Sequence, residues 1–153
     1  MIYPIFPTNR SQHWNHVHVV DLADLYVLLL RGILSASSPP PPHGRDGIYW
    51  AETGEHTWLG VSQAIAKTAK SQGFIPTGEV KSISLKEAAD AFMGGDESYV
   101  EVVMASNSRT KADKARELLG WDPKRGNEDF WGSFEDEVSV VNEERGSVKI
   151  GYV

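Results

Sequence analysis

His16-Val17-His18-Val19-Val20-Asp21-Leu22-Ala23-Asp24-Leu25-Tyr26-Val27-Leu28-Leu29-Leu30 is the stretch on which the fold turns. Val17, Val19 and Val20 are β-branched, which restricts χ1 and favours a pleated backbone, so the segment starts as a strand. At Asp21 the pattern changes. Its carboxylate can accept a hydrogen bond from the free N–H groups of a first helical turn, and Asp24 adds negative charge where the helix dipole favours it. From 22 to 34 the helix is apolar almost all round, with Asp24 and Arg31 as the main interruptions. Such a helix expects cover on several sides, unlike a surface helix with one apolar stripe. A strand feeding a buried helix through one acidic residue is the expected centre of the fold.

Upstream, residues 1–13 carry two prolines and read as an irregular lead-in. His13, His16 and His18 cluster near Asp21, and His16 and His18 would share one strand face, as two zinc ligands do. No convincing fourth donor stands nearby. The plainer reading packs His18 and leaves His13 and His16 near the surface, with no metal assigned.

Downstream, Pro39-Pro40-Pro41-Pro42, flanked by serines and glycines over 36–47, favours polyproline II in an exposed loop. A short strand is expected over 48–52. Thr57 then caps a helix whose Trp58, Val61, Ile65 and Ala69 face inward, with Gly73 as its stop. A strand is expected over 80–84. Ser84 and Glu87 form a capping box for a helix with Leu85, Ala88, Ala89 and Phe92 inside, closed by Gly94-Gly95. Val100, Val102 and Val103 favour strand by propensity over 99–105, but a helix is the preferred reading. Ser106 to Thr110 is a polar turn whose hydroxyls can cap a helix over 111–119, which Gly120 and Pro123 end. Phe130, Phe134, Val138 and Val141 then share one face of a last helix whose other face is acidic and solvated. Residues 144–153 read as a tail.

The composition is that of an ordinary soluble globular chain of one domain's length, 153 residues with 41% hydrophobic and 24% charged. A net charge of −6 disfavours nucleic acid and anionic membrane surfaces. With no cysteine, disulfides and thiolate chemistry are excluded. The apolar start lacks the basic region of a secretory signal, and no uncharged run approaches the roughly 18 residues of a membrane span. The expected location is cytoplasmic.

Val17-His18-Val19-Val20-Asp21-Leu22-Ala23-Asp24 resembles the hydrophobic-His-Val-x-Asp-hydrophobic-Ala motif of extended short-chain dehydrogenases/reductases, the NAD-dependent epimerase/dehydratase family. Lys114-Ala115-Arg116-Glu117-Leu118-Leu119-Gly120-Trp121-Asp122-Pro123 is similar to the late Lys-Ala-x-x-x-Leu-Gly-Trp-x-Pro signature of the same family. The resemblance covers roughly residues 14–143 and concerns only the C-terminal part of such an enzyme. It implies a mixed, helix-rich α/β fold: the substrate-binding lobe of a Rossmann-type enzyme without its nucleotide-binding half. The chain then reads as one partial domain, with a strand–helix unit at 14–35, the proline-rich loop at 36–47, a substrate lobe at 48–143 and the tail.

The resemblance also implies hydride transfer with NAD or NADP, a small-molecule substrate, and a cleft facing Ser108 and Arg109. The glycine-rich pyrophosphate turn is missing, and no tyrosine has a lysine four residues on. Catalytic and cofactor-binding residues are therefore not assigned, and no cofactor is expected to bind this chain alone. Trp14-Asn15 stands where sugar-nucleotide members carry an Arg-Asp pair, and a neutral aromatic cannot replace a bidentate phosphate contact. That departure points to a more apolar substrate. The substrate-binding candidates are Trp14, Asn15, Ser108 and Arg109.

The leading expectation is the C-terminal portion of an NAD(P)-dependent oxidoreductase, inactive alone. A non-catalytic interaction module from that family and a small histidine-cluster metal protein are the rivals. A Rossmann-domain partner, or a second copy of the chain, is expected on the 22–34 helix.

Overall fold

The computed structural model describes residues 12–35 and 39–147. In order they form β1 (His13–His16), α1 (Val19–Leu34), β2 (Gly54–Thr57), α2 (Trp58–Ser71), α3 (Leu85–Phe92), α4 (Glu97–Val100), α5 (Asp113–Leu119), α6 (Asn127–Gly132) and α7 (Phe134–Ser147). β1 and β2 are neighbours in a small two-stranded sheet. Two compact units divide the described residues: one from 14–55 and 108–130, the other from 12–13, 56–107 and 131–147. Each unit is made of segments far apart in the chain. Of the expected 144–153 tail, 144–147 instead continue the last helix, and 148–153 and most of the 1–13 lead-in lie outside the described residues.

The first unit holds the opening stretch, and two expectations about it are corrected. The strand is 13–16 rather than 17–20, because Val19 and Val20 already belong to α1. The N-cap is His18, whose imidazole accepts from the Val20 amide at 3.2 Å, and Asp21 sits inside the first turn. The physical reason is what Asp21 does instead. Only 1% exposed, it accepts from the amides of Lys124 at 3.2 Å and Arg125 at 2.9 Å and from Arg125 Nη1 at 3.2 Å. A buried carboxylate needs such donors more than a helix end needs one acceptor.

Below it, Leu25, Ala112, Ala115 and Trp121 form the buried cluster, with Leu28, Leu29, Tyr49, Ala51 and Leu119 packed against them. No strand forms over 48–52. Tyr49 and Ala51 pack on that cluster, and the Glu52 carbonyl accepts from Arg116 Nη2 at 2.9 Å instead of entering a ladder. α5 starts at Asp113 without a side-chain cap, so the hydroxyls of 106–110 do not have the expected role. The Ala112 amide donates to Glu52 Oε1 at 3.3 Å instead. Gly120 ends α5 in the left-handed region at φ 64°, as its sequence pattern requires.

The proline run is less exposed than expected. Pro41 lies on Gly32, where an added Cβ would stand 2.5 Å from Pro41 Cγ. The Tyr49 hydroxyl donates to the Pro42 carbonyl at 3.2 Å. Half of the run is therefore folded back onto α1.

In the second unit α2 begins as read, with Thr57 Oγ1 accepting from the Gly60 amide at 3.0 Å, and Val61, Ala66 and Ala69 buried. The Ser84–Glu87 capping box is complete in both directions. Ala88, Ala89 and Val100 form a second buried cluster with Ile83, Leu85, Met93 and Met104 around it. Phe92, expected inside, is exposed, and over 80–84 the described pairing is limited to a β-bridge at Ile83. The 99–105 segment is helical: α4 runs into a π-helical turn at Glu101–Ala105. Asp96 explains this, since it caps the Tyr99 amide at 2.9 Å and so overrides the β preference of the valines. The expected single last helix is broken at Ser133 into α6 and α7, just after Gly132. Phe134 is buried while Glu135, Asp136 and Glu137 are exposed, as the acidic face was read. No helix among the described residues is long and apolar enough to cross a membrane.

Candidate functional site

The four residues singled out in the sequence come together in the first unit. Trp14 pairs with Ser108 in an isolated parallel bridge, and the Asn15 amide donates to the Ser108 carbonyl at 3.1 Å. The 14–15 segment thereby lies alongside 108–110. Asn15 closes the join. Its Oδ1 accepts from the amide and, at 3.0 Å, the hydroxyl of Thr110, while Nδ2 donates to the Gly54 carbonyl at 3.4 Å. A carboxamide with all these partners positions the backbone rather than offering itself to a ligand.

Arg109 is exposed but not solitary. Its Nε and Nη2 each donate to one oxygen of Glu55 at 2.9 Å, a bidentate pair whose side chains are 59% and 36% exposed. The hydrogen bonds to Glu55, and then its charge, raise the Arg109 pKa above its usual value. A second pair lies nearby in the chain: Arg116 Nη1 donates to Glu52 Oε1 at 2.8 Å, with the guanidinium 5.5 Å from the Trp121 ring centroid. Both acids come from the Glu52-Thr53-Gly54-Glu55 segment, where the sequence suggests only the end of a strand. Two glutamates flanking a glycine ahead of a polar Ser-Arg-Thr segment were the available signal.

His16 completes the arrangement. Its ring stacks on Phe130 at 3.9 Å between centroids, 4° from parallel. Burial pushes the imidazole pKa down, only partly opposed by the charge of Glu52. Gly54 is required here by space, because a Cβ would fall onto Asn127 Oδ1 and the His16 ring. The Thr53 amide and hydroxyl both donate to the His16 carbonyl, at 2.8 and 3.4 Å.

The histidine cluster of the sequence reading is dispersed in role. His16 stacks, His18 caps α1, and the His13 amide donates to Asn107 Oδ1 at 2.8 Å. Among the described residues no group of three or more His, Asp or Glu side chains is placed to hold a metal ion. The chemistry this surface can perform is recognition: aromatic faces, a neutral imidazole, hydroxyls, and two cations each matched by an anion.

The chain is 28% identical over 116 residues to a protein named Oxidase ucsJ from an Acremonium species. The match takes in 72% of this chain and 32% of that protein, so the chain spans about a third of the length of the curated relative it matches. No protein-family model matches, and no solved structure does.

Proposed function

We propose that these residues form the C-terminal, substrate-binding portion of an NAD(P)-dependent oxidoreductase of the epimerase/dehydratase kind. The observation that carries this reading is the joining of the two signature segments. Asp21, from the 17–24 motif, receives the indole N–H of Trp121, from the 114–123 motif, on its carbonyl at 2.8 Å. Motifs a hundred residues apart thus act as one structural unit. The distant likeness to an oxidase agrees with the oxidoreductase class.

The residues present do not fit a dinucleotide. Val17 and His18 precede α1, its first turn is capped by the His18 imidazole, and no glycine-rich turn supplies amides for a pyrophosphate. NAD or NADP would be held by a nucleotide-binding portion outside these 153 residues. Its natural resting place is the outer face of α1, where Leu30, Ile33 and Leu34 are 56, 64 and 81% exposed. A second copy of the chain is the other occupant that such a face suits.

Sequencing the transcript upstream of the Met1 codon tests the proposal. A continuous reading frame encoding a glycine-rich turn and a Tyr-x-x-x-Lys pair is expected. A stop codon directly upstream, with no such frame beside it, would replace this reading with a free-standing, non-catalytic binding module.

A further inference from the structure

Within the second unit, α2 and α7 enclose an open cavity of about 270 Å3. Helical spacing builds its walls. Ile65 and Ala69 lie one turn apart on α2, and Phe134, Val138 and Val141 follow a four-and-three spacing on α7. Ala69 is buried and carries only a methyl group, so the wall dips there. Gly73, at φ 78°, then turns the chain at the end of α2. The Gly73 amide donates to the Lys70 carbonyl at 3.0 Å and the Phe74 amide to the Ala69 carbonyl at 2.8 Å, which folds Phe74 back to the cavity. Gln72 Nε2 donates to the Glu135 carbonyl at 2.9 Å and ties the end of α2 to the first turn of α7. The walls are thus braced by bonds outside the cavity.

The polar part of the lining has one sign of charge. Among the described residues Glu137 and Asn142 are its polar side chains, and no lysine or arginine lines it. None of the ion pairs among the described residues takes up the Glu137 carboxylate. An anionic ligand would meet that carboxylate at close range, whereas a cation gains from it and from the Phe74 ring. An apolar cavity of about 150 Å3 takes benzene, so this one has room for two fused rings. We propose that the cavity between α2 and α7 binds a small organic cation, an amine carried on an apolar body of that size. The body lies against Ala69, Phe134 and Val138, with the ammonium group at Glu137 and the Asn142 carboxamide. The site shares no residue with the 14–15 and 108–110 segments, and the proposal stands independently of the oxidoreductase reading.

The test is an NMR titration of the full chain, following the methyl groups of Ile65, Val138 and Val141. Three probes share one naphthalene body and differ in charge: 1-naphthylmethylamine, 1-naphthalenemethanol and 1-naphthylacetate. The amine is expected to shift these methyl groups and to bind about threefold to fivefold more tightly than the alcohol, with the acetate weaker still, as one exposed carboxylate would dictate. Glu137→Gln, at an exposed position, removes the advantage of the amine over the alcohol. Val141→Trp, where the parent residue is 56% exposed, fills the cavity and weakens all three probes by about tenfold or more. Melting curves check that both variants fold, and Glu137→Gln carries the test alone if the tryptophan variant does not. Equal binding of the three probes would mean a plain packing groove and overturns the proposal. So does a methyl spectrum unmoved by millimolar amine, a preference for the amine that survives Glu137→Gln, or amine binding undiminished in a folded Val141→Trp.

Discussion

Trp121 donates its indole Nε1–H to the main-chain carbonyl of Asp21 at 2.8 Å, across one hundred residues of sequence. The carboxylate of the same Asp21 holds the amides of Lys124 and Arg125. One residue in the first turn of α1 therefore fastens the segment after Gly120 from both its main chain and its side chain. This latch, rather than a helix cap, is what the acidic residue of the opening motif provides.

Replacing Asp21 with Asn keeps its size but turns a donor toward donors. We expect a loss of about 3 kcal/mol in urea unfolding, the range for breaking one side of a buried, charge-assisted network. His18→Ala, which removes the cap, should cost only about 1 kcal/mol. A costlier His18 variant would mean that the cap, not the latch, organises this unit.

Acid should weaken the protein in two stages. Burial lowers the His16 pKa from 6.5, with Glu52 opposing, so the folded state prefers the neutral ring. Its contribution is complete above pH 6.5 and declines as the pH falls toward the lowered folded value. For Asp21, burial alone would raise the pKa. The Lys124 and Arg125 amides and the Arg125 guanidinium outweigh it and hold the carboxyl below 3.8, so the stability it contributes is lost only below pH 3.8. Thermal melts across this range should show the first decline disappear in His16→Gln and the second in Asp21→Asn.

Gly54→Ala should destabilise by about 1–3 kcal/mol, because the new methyl group meets Asn127 and His16. Combining it with Asn127→Ala should recover part of that loss, a non-additivity expected for contacting residues. Calorimetric melting of the two single variants and the double variant measures it.

The chain alone should bind neither NAD(H) nor NADP(H) at micromolar concentration, given the capped, glycine-free entry to α1. Isothermal titration decides this, and a micromolar constant would place a nucleotide site within these residues.

The outer face of α1 should make the isolated chain associate or bind an environment-sensitive dye. Leu30→Gln with Ile33→Gln should abolish both without lowering the melting temperature, since both positions are exposed. Light scattering showing a monomer without dye binding in the parent chain would remove the face as a docking surface.

Local signals read well from the sequence. Thr57, the Ser84–Glu87 box and Gly120 act within one helical turn of themselves, and each does what its chemistry requires. The segment at 99–105 reads correctly as helix, although its valines argue for a strand. What failed depends on distant partners. Nothing near Asp21 reveals that its donors come from 124 and 125, so a cap was the nearest use for an acid there. The 16–20 valines imply a strand until it is seen that His18 can begin a helix over them. Trp14, Asn15, Ser108 and Arg109, the expected substrate-binding residues, lie alongside one another in the structure. Glu55 escaped notice because its importance lies in an ion pair across 54 residues.

The contact between Gly32 and Pro41 makes the helix and the following loop a matched set. Glycine in a helix interior costs about 1 kcal/mol relative to alanine, and here the ring of Pro41 occupies the space a methyl group would need. Position 32 cannot gain a side chain while Pro41 keeps this place. In a variant with the proline run shortened, alanine at 32 would turn from a clash into a stabilising substitution. Shortening this loop should therefore permit, across diverging sequences or in engineered ones, a larger residue at position 32.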